Sequence, residues 1–421
     1  MSIPGKVYSQ AILNWIRDVV DTQLREEQAG FRPKRSCAEQ IFTLRQIIEK
    51  CNEFQCPLAL SFIDFSKAFD SLHRPSLWKV LREYGLPVKI VAAIRNIYDK
   101  SKCCVRTEDG LSDWFEVITG VRQGCLLSPI LFGIAIDWIL HRATLDHGMN
   151  WVEDNLLSDL DFADDIAALS ENTNELQSLI SNVSNTANKI GLNISSIKIK
   201  KMLVGSHPDP VDIKLENDLI EVVEDFTYLG SSLNNQGDME REISCRIGKA
   251  TAAFSRLSKI WMSKKIPLSL KMKFYNSNVI STLLYASETW HMKLSQEKKI
   301  DSFDAKCLRK ILRIKWSDFI SNEEIRRRCN QQRASNLICK RRLNWFGHVN
   351  RYPPSRIAKQ SMLWIPRGKR KRGRPKMSWK HTIQRDLQSI GSGWYTASRL
   401  DANRSRWNVF AASCVSRHGR Y

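Results

Sequence analysis

Apolar positions recur at helical spacing through residues 7–25, where Ile12, Ile16, Val19, Val20 and Leu24 share one face. A Gly-Phe-Arg-Pro loop at 30–33 separates this predicted helix from a second through Ile41, Leu44, Ile47 and Ile48. The pattern then becomes a short unbroken apolar run, Leu58 to Asp64 after Pro57, which predicts a buried strand. Pro75 opens a helix that Gly85 closes. Asp109-Gly110, between Cys103 to Thr107 and Trp114 to Ile118, predicts a hairpin. Ser128-Pro129 reads as an N-cap and first-turn proline for a long apolar helix ending near Gly148. Leu156 to Leu169 predicts a second hairpin with Ala163-Asp164-Asp165 at its tip, and Asn172 to Gly191 an amphipathic helix. Short strands follow near Met202 to Val204 and Phe226 to Leu229. After Gly237 helical spacing takes over, through Ile243, Ile247, Ala250, Phe254 and Leu257 and on to about Lys315. The expected organisation is α+β over residues 1–240, all-helical over 241–325, and short helices with loops over 326–421.

With 421 residues, 43% of them apolar, the chain has enough material for two or three cores, which excludes disordered and collagen-like classes. No run reaches the ~18 apolar residues of a membrane span, because Asp137 interrupts the best one, Ile130 to Leu140. The N-terminus carries no secretory apolar stretch, and eleven cysteines without paired spacing do not form a disulfide framework. The expected compartment is the cytosol or nucleus.

Charge changes this picture most. Residues 1–240 carry 24 Lys and Arg against 34 Asp and Glu, whereas residues 241–421 carry 41 against 10. Residues 326–421 hold 24 basic side chains and only Asp386 and Asp401 as acids. So strong a basic excess predicts a polyanionic partner, nucleic acid first. Trp345, Phe346, Trp364, Trp379, Trp394 and Trp407, scattered through the same segment, argue against a merely solubilising tail.

The candidate chemistry lies in three acids. Asp64 ends a buried strand, where a charge needs a compensating partner. Asp164 and Asp165 repel each other at a hairpin tip unless a cation neutralises them. If strand and hairpin are neighbours in one sheet, the three carboxylates converge into a site for two Mg²⁺ ions. Read alone, the Asp-Asp pair is equally ordinary turn chemistry.

Five further segments decide between these readings. QAGFRPKRSCAEQI at 28–41, LSFIDFSKAFD at 60–70, GVRQGCLLSPILF at 120–132, FADD at 162–165 and GLNISSIKIKKM at 191–202 follow in order, with FTYLGSSLN at 226–234 after them. Together they resemble the reverse transcriptases of non-long-terminal-repeat retrotransposons, most closely the RTE-like proteins that join an endonuclease to a reverse transcriptase. The resemblance runs from about Gln28 to Trp290 and returns after about Arg341. It implies a right-hand polymerase with fingers, an antiparallel palm sheet and a helical thumb. It implies that Asp64 and Asp164 ligate both metals, with Asp165 as companion, and that Lys198 protonates the departing pyrophosphate. Arg32, Lys34 and Arg35 are expected near the nucleotide phosphates, and Gln123 and Gly124 beneath the nucleotide. Phe69 is expected under the sugar, where a ring excludes a 2′-hydroxyl, although it also reads as an ordinary core residue. Tyr228, Leu229 and Gly230 correspond to the primer grip. Ser195 and Ile199 depart from the Asn and Thr common in the family. Against the family pattern the chain is also expected to lack the upstream endonuclease and the first fingers segment.

Arg367 to Lys376 reads RGKRKRGRPK, and its Arg372-Gly373-Arg374-Pro375 core resembles an AT-hook, which lays arginines in a narrow minor groove. The same strip suits phosphate binding and nuclear import. Cys307, Cys329, Cys339 and His348 are too widely spaced for a typical structural zinc site, so buried thiols are expected. The resulting expectation is a nuclear RNA-directed DNA polymerase using an RNA template, a DNA primer, deoxynucleoside triphosphates and two Mg²⁺ ions, without a membrane. The alternative is a catalytically inactive nucleic-acid-binding relic of the same fold.

Overall fold

The computed structural model describes residues 2–417 apart from Asp109, Pro208, Asp209, Arg374, Asp401 and Ala402. The Asp109-Gly110 turn and Arg374 of the basic strip therefore lie partly or wholly outside the described residues. Two compact units emerge: residues 1–40, 55–224 and 366–368 form the first, and 41–54, 225–365 and 369–421 the second. Among the described residues no helix is long and apolar enough to cross a membrane.

The first unit is built on a five-stranded sheet. Its spatial order is Glu221–Val222, Lys200–Val204, Leu58–Ile63, Asp165–Ser170 and Asp159–Phe162, all neighbours antiparallel except the first pair. Leu58–Ile63 takes the centre because every residue in it is buried, as the apolar run predicted. The amphipathic helix Thr173–Asn188 lays Leu176, Leu179, Ile180 and Val183 into the same core as Ala59, Ile63 and Ile166. Ile12, Ile16 and Val20 of the first helix, Ile3–Gln23, join that core, as do Leu131, Phe132 and Ile136.

The apolar helix starts one residue away from its expected cap. Leu127 is the N-cap and the helix runs Ser128–Ala143, while the Ser128 hydroxyl donates to the Arg122 carbonyl at 2.6 Å. The expected long hairpin over 103–118 is present only as two-residue pairings, Lys102–Cys103 with Phe115–Glu116 and Arg106–Thr107 with Gly110–Leu111.

The second unit is helical save for one hairpin, Asp225–Tyr228 with Ser231–Asn234. Ile243, Phe254, Trp261, Tyr275, Trp290, Ile300, Leu308 and Ile338 make its main core. Helical spacing predicted this region, but the unit begins at 225 rather than 241. The reason is a buried polar clamp on the hairpin. Glu242 accepts from the Ser232 amide at 2.6 Å and the Ser231 hydroxyl at 3.0 Å, and Arg45 donates to Ser231 Oγ and the Ser232 carbonyl. The unit also retains residues 326–365 and 369–421. There Phe346, Trp379 and Trp407 are fully buried and Trp345 and Trp364 nearly so. The tail's tryptophans therefore build a core. Arg342, also buried, is held by Asp386 at 2.7 and 3.0 Å, which removes one of the tail's few acids from the surface.

Candidate active site

Strand register assembles the site. Ile63 pairs with Ile166, so the next residues outward, Asp64 and Asp165, leave the sheet at the same end. Phe162 pairs with Asp165, which confines the hairpin tip to Ala163 and Asp164. Ala163 adopts a φ of +61°, a left-handed conformation that costs an alanine on the order of 1 kcal/mol. Neighbouring contacts hold it there. Gln28 Oε1 accepts from the Gly30 amide at 2.7 Å and the Ala163 amide at 3.3 Å, and the Ala29 amide donates to the Asp161 carbonyl at 2.9 Å. Gly30 passes so close that an added Cβ would lie 2.1 Å from the Ala163 nitrogen. The Gln-Ala-Gly segment thus clamps the catalytic turn.

The 191–202 motif contributes a cation. Ser195 donates its amide to the Asp64 carbonyl at 2.9 Å, and the following turn brings Lys198 Nζ to 3.1 and 3.2 Å from the two Asp64 carboxylate oxygens. Partial burial and the charge of Asp64 push the Asp164 carboxyl above its ordinary range, with Lys198 opposing. Burial, then Asp164 and Asp64, push Asp165 up to about 6. The acids are therefore crowded and undercompensated, the situation a bound cation relieves. Among the described residues no three His, Cys, Asp or Glu side chains already stand as a metal cage. Lys198 is the positive charge at Asp64 instead.

Other expected residues divide into three groups. Phe69 is half-buried and stacks on Phe132, ring centroids 4.6 Å apart, so it is a core residue with one side open. Gln123 and Gly124 are exposed. Gly124 has a φ of +78° and nothing within 4 Å of an added Cβ, so its conformation requires the glycine and the space beside it is open. Tyr228 is buried, and Leu229 and Gly230 form the tight turn of the 225–234 hairpin with φ of +47° and +76°. Arg246 donates to the Gly230 carbonyl and Tyr285 to that of Leu229, pinning the turn. Arg372 is exposed.

Arg32 and Arg35 correct the sequence expectation. The Arg32 guanidinium is spent on Asp21 at 2.7 Å and on the carbonyls of Asp21, Arg25 and Gln28. Arg35 grips Glu26 through two bonds of 2.7 and 2.6 Å. Both side chains are over nine-tenths buried, so they brace the loop rather than face a triphosphate. Charge in a sequence does not reveal whether a local acid or carbonyl has already claimed it.

A second group of acids, which sequence reasoning missed, lies directly behind the turn. Asp159 and Asp161 lie two residues apart on one face of the strand, both fully buried. Arg25 donates to Asp159 at 3.0 and 2.9 Å, to Asp161 at 2.9 Å and to Asp137 at 3.1 Å, while Tyr84 donates to Asp137 at 2.6 Å. Burial opposes charge on Asp159, but Arg25 and its hydrogen bonds outweigh it and hold that carboxyl below its usual range. Burial and the charge of Asp159 drive Asp161 well above it. Asp161 Oδ1 has no hydrogen-bond partner among the described residues. The hint was Asp137, an acid inside an otherwise apolar helix.

Sequence comparison identifies the family. The profile of the family "Reverse transcriptase (RNA-dependent DNA polymerase)" matches residues 1–233, more than half of the chain, which belongs to that family. A retrovirus-related Pol polyprotein from the type-2 retrotransposable element R2DM of Drosophila melanogaster is 29% identical over 171 residues, covering 41% of this chain and 16% of that protein. The Pol polyprotein of a type-1 element R2 of Nasonia vitripennis is 27% identical over 232 residues, covering 52% and 22%. A transposon-derived protein of Caenorhabditis elegans is 25% identical over 266 residues, covering 60% and 94%. These relatives are retrotransposon Pol polyproteins and a transposon-derived protein, and the chain spans about a fifth of the two Pol polyproteins.

Proposed function

We propose that this chain extends a DNA 3′-hydroxyl on an RNA template, using deoxynucleoside triphosphates and two Mg²⁺ ions. The supporting observation is the strand end shared by Asp64 and Asp165 beside the tip residue Asp164, where partial burial first and neighbouring carboxylates second raise the proton affinity of Asp164 and Asp165. Phosphoryl transfer needs positioning and charge neutralisation far more than covalent help from the protein. The donor set suits Mg²⁺, since all three groups supply hard carboxylate oxygens and their charge exceeds what Lys198 offsets. Two bound ions would activate the primer hydroxyl and neutralise the triphosphate. Asp64 and Asp164 would hold them and Asp165 would add charge. Lys198, released from Asp64, would carry a proton toward the departing pyrophosphate. Phe69 would lie under the sugar and Gln123 and Gly124 beside the nucleotide, with the turn Tyr228-Leu229-Gly230 against the primer. The strip 367–376, Arg372 and Arg374 included, would bind phosphates and direct nuclear import.

Primer extension on poly(rA)/oligo(dT) tests this reading. Wild-type chain should incorporate dTTP with Mg²⁺, and Asp164→Asn should lose at least about a thousandfold, several kcal/mol of transition-state stabilisation. Equal signals, or none from either protein, would instead support the inactive relic.

A further inference from the structure

The second unit carries an aromatic surface that the polymerase site does not use. Between the helices Leu294–Leu312 and Asn322–Cys329 the chain reverses through a short 3₁₀ turn, Trp316–Asp318. Trp316 is 83% exposed and Phe319 is 89% exposed. The flanking aliphatics do the opposite, because Ile314 and Ile320 pack against the unit's core. Apolar burial would favour the large rings inside, so this segment presents its two aromatics outward at an energetic cost.

The turn is stiff. Arg313 and Phe319 bracket it with φ of +58° and +52°. The Lys315 amide donates to the Asp318 carboxylate at 2.8 Å, and Arg309 donates to the Ile320 carbonyl at 2.6 Å. Arg313 also donates to the Met262 carbonyl, which brings the turn beside the loop after helix Ser258–Met262, where Met262, Lys264 and Lys265 are exposed. Residues 256–268 and 306–320 together hold nine Lys and Arg and a single acid, Asp318.

We infer that Trp316 and Phe319, framed by Arg313, Lys315, Lys264 and Lys265, form a stacking platform for unpaired nucleotides of single-stranded nucleic acid. Exposed rings within a positive field match the two things every single strand offers, base faces and phosphates, and need no base sequence. A preset turn loses little conformational freedom on binding. A protein partner would use the rings as apolar surface alone, whereas stacking requires their π-faces.

The test uses the full chain in EDTA without nucleotides, so its result is independent of catalysis. Anisotropy with labelled dT20, rU20 and a blunt 20-base-pair DNA duplex would be measured for wild type and three variants. Removing both rings (Trp316→Ala with Phe319→Ala) should weaken both single strands about 10- to 100-fold while changing duplex affinity less than about threefold. Trp316→Phe should retain most of the affinity and Trp316→Leu should not, and melting temperature should stay at the wild-type value in all three. Comparable losses on dT20 and rU20 identify base stacking, and a loss confined to one identifies sugar recognition on the same platform. Unchanged single-strand affinity in the folded double variant, or full retention by Trp316→Leu, would overturn the inference.

Discussion

Between residues 159 and 165 the chain carries four aspartates that it treats in two ways. Asp159 and Asp161 lie buried inside the sheet, share one guanidinium and turn away from solvent. Asp164 and Asp165 lie at the tip, partly solvated, and their nearest cation is an amine on another aspartate. The first pair is compensated so that the strand can exist at all, since a buried carboxylate without a partner costs several kcal/mol. The second pair is left undercompensated, so that binding a cation is favourable there. Neighbouring residues of one type therefore divide between holding the turn and standing open at its tip, where the proposed chemistry would occur, and position along the strand decides which does which.

Removing the shared cation is the strongest way to break this division. Arg25→Ala leaves Asp137, Asp159 and Asp161 facing one another without a cation, and a broken buried pair typically costs about 3–5 kcal/mol. Thermal unfolding should fall by roughly 10 °C or more for a unit of this size, and primer extension should fall with it. An unchanged melting temperature would show that water reaches the cluster and the caging account is wrong.

Separating the two caged acids sharpens the contrast at smaller expected effect. Asp159 accepts both arms of the Arg25 fork and the Ser158 hydroxyl, so Asp159→Asn should cost roughly 2–3 kcal/mol. Asp161 offers one oxygen to Arg25 and leaves the other without a partner, and its proton affinity is high. An asparagine amide resembles the protonated carboxyl, so Asp161→Asn should cost less than about 1 kcal/mol. Equal destabilisation in urea titrations would mean that both carboxylates are ionised and the proton is held elsewhere, Glu27 being the other crowded acid.

Much of the open pair was legible beforehand because its determinants are local. An apolar run ending in Asp64, a hairpin tip at 163–164 and ordered motifs around them are read over a few residues each. The caged pair was not legible, since Arg25 meets partners 112 to 136 positions away and their carboxylates carry no local mark. The same physics explains the errors. Arg32 and Arg35 read as free cations because Asp21, Glu26 and three carbonyls are not visible as acceptors until the loop folds. The role of the tail's tryptophans was not legible either, because aromatic residues serve cores and stacking equally well. Likewise, the Arg45 half of the buried clamp on the 225–234 hairpin reaches its partners across 186 and 187 positions, although Glu242 grips the same hairpin from only 10 positions away.

A third buried acid, handled with a proton rather than a guanidinium, provides the mildest test. Glu49 of the second unit accepts from the Trp379 amide at 2.9 Å and lies 3.4 Å from His291 Nδ1. The separation looks like an ion pair, but burial pushes Glu49 up to about 8 and His291 down to about 4, so at neutral pH both are mainly uncharged. We give burial the greater weight, because neither group has the bidentate cationic partner that Asp159 enjoys. In the folded state Glu49 binds its proton more tightly than in the unfolded chain, where its pKa is about 4.3. Its contribution to stability is therefore complete below about pH 4 and is lost as pH rises toward 8. Glu49→Gln keeps the acceptor for Trp379 and removes the titration. Its melting temperature should match wild type near pH 4, climb above it as pH rises toward 8, and gain little more beyond. A constant difference across that range would mean that Glu49 is ionised and His291 charged. The pair would then be compensated by opposite charge, as Asp159 is by Arg25.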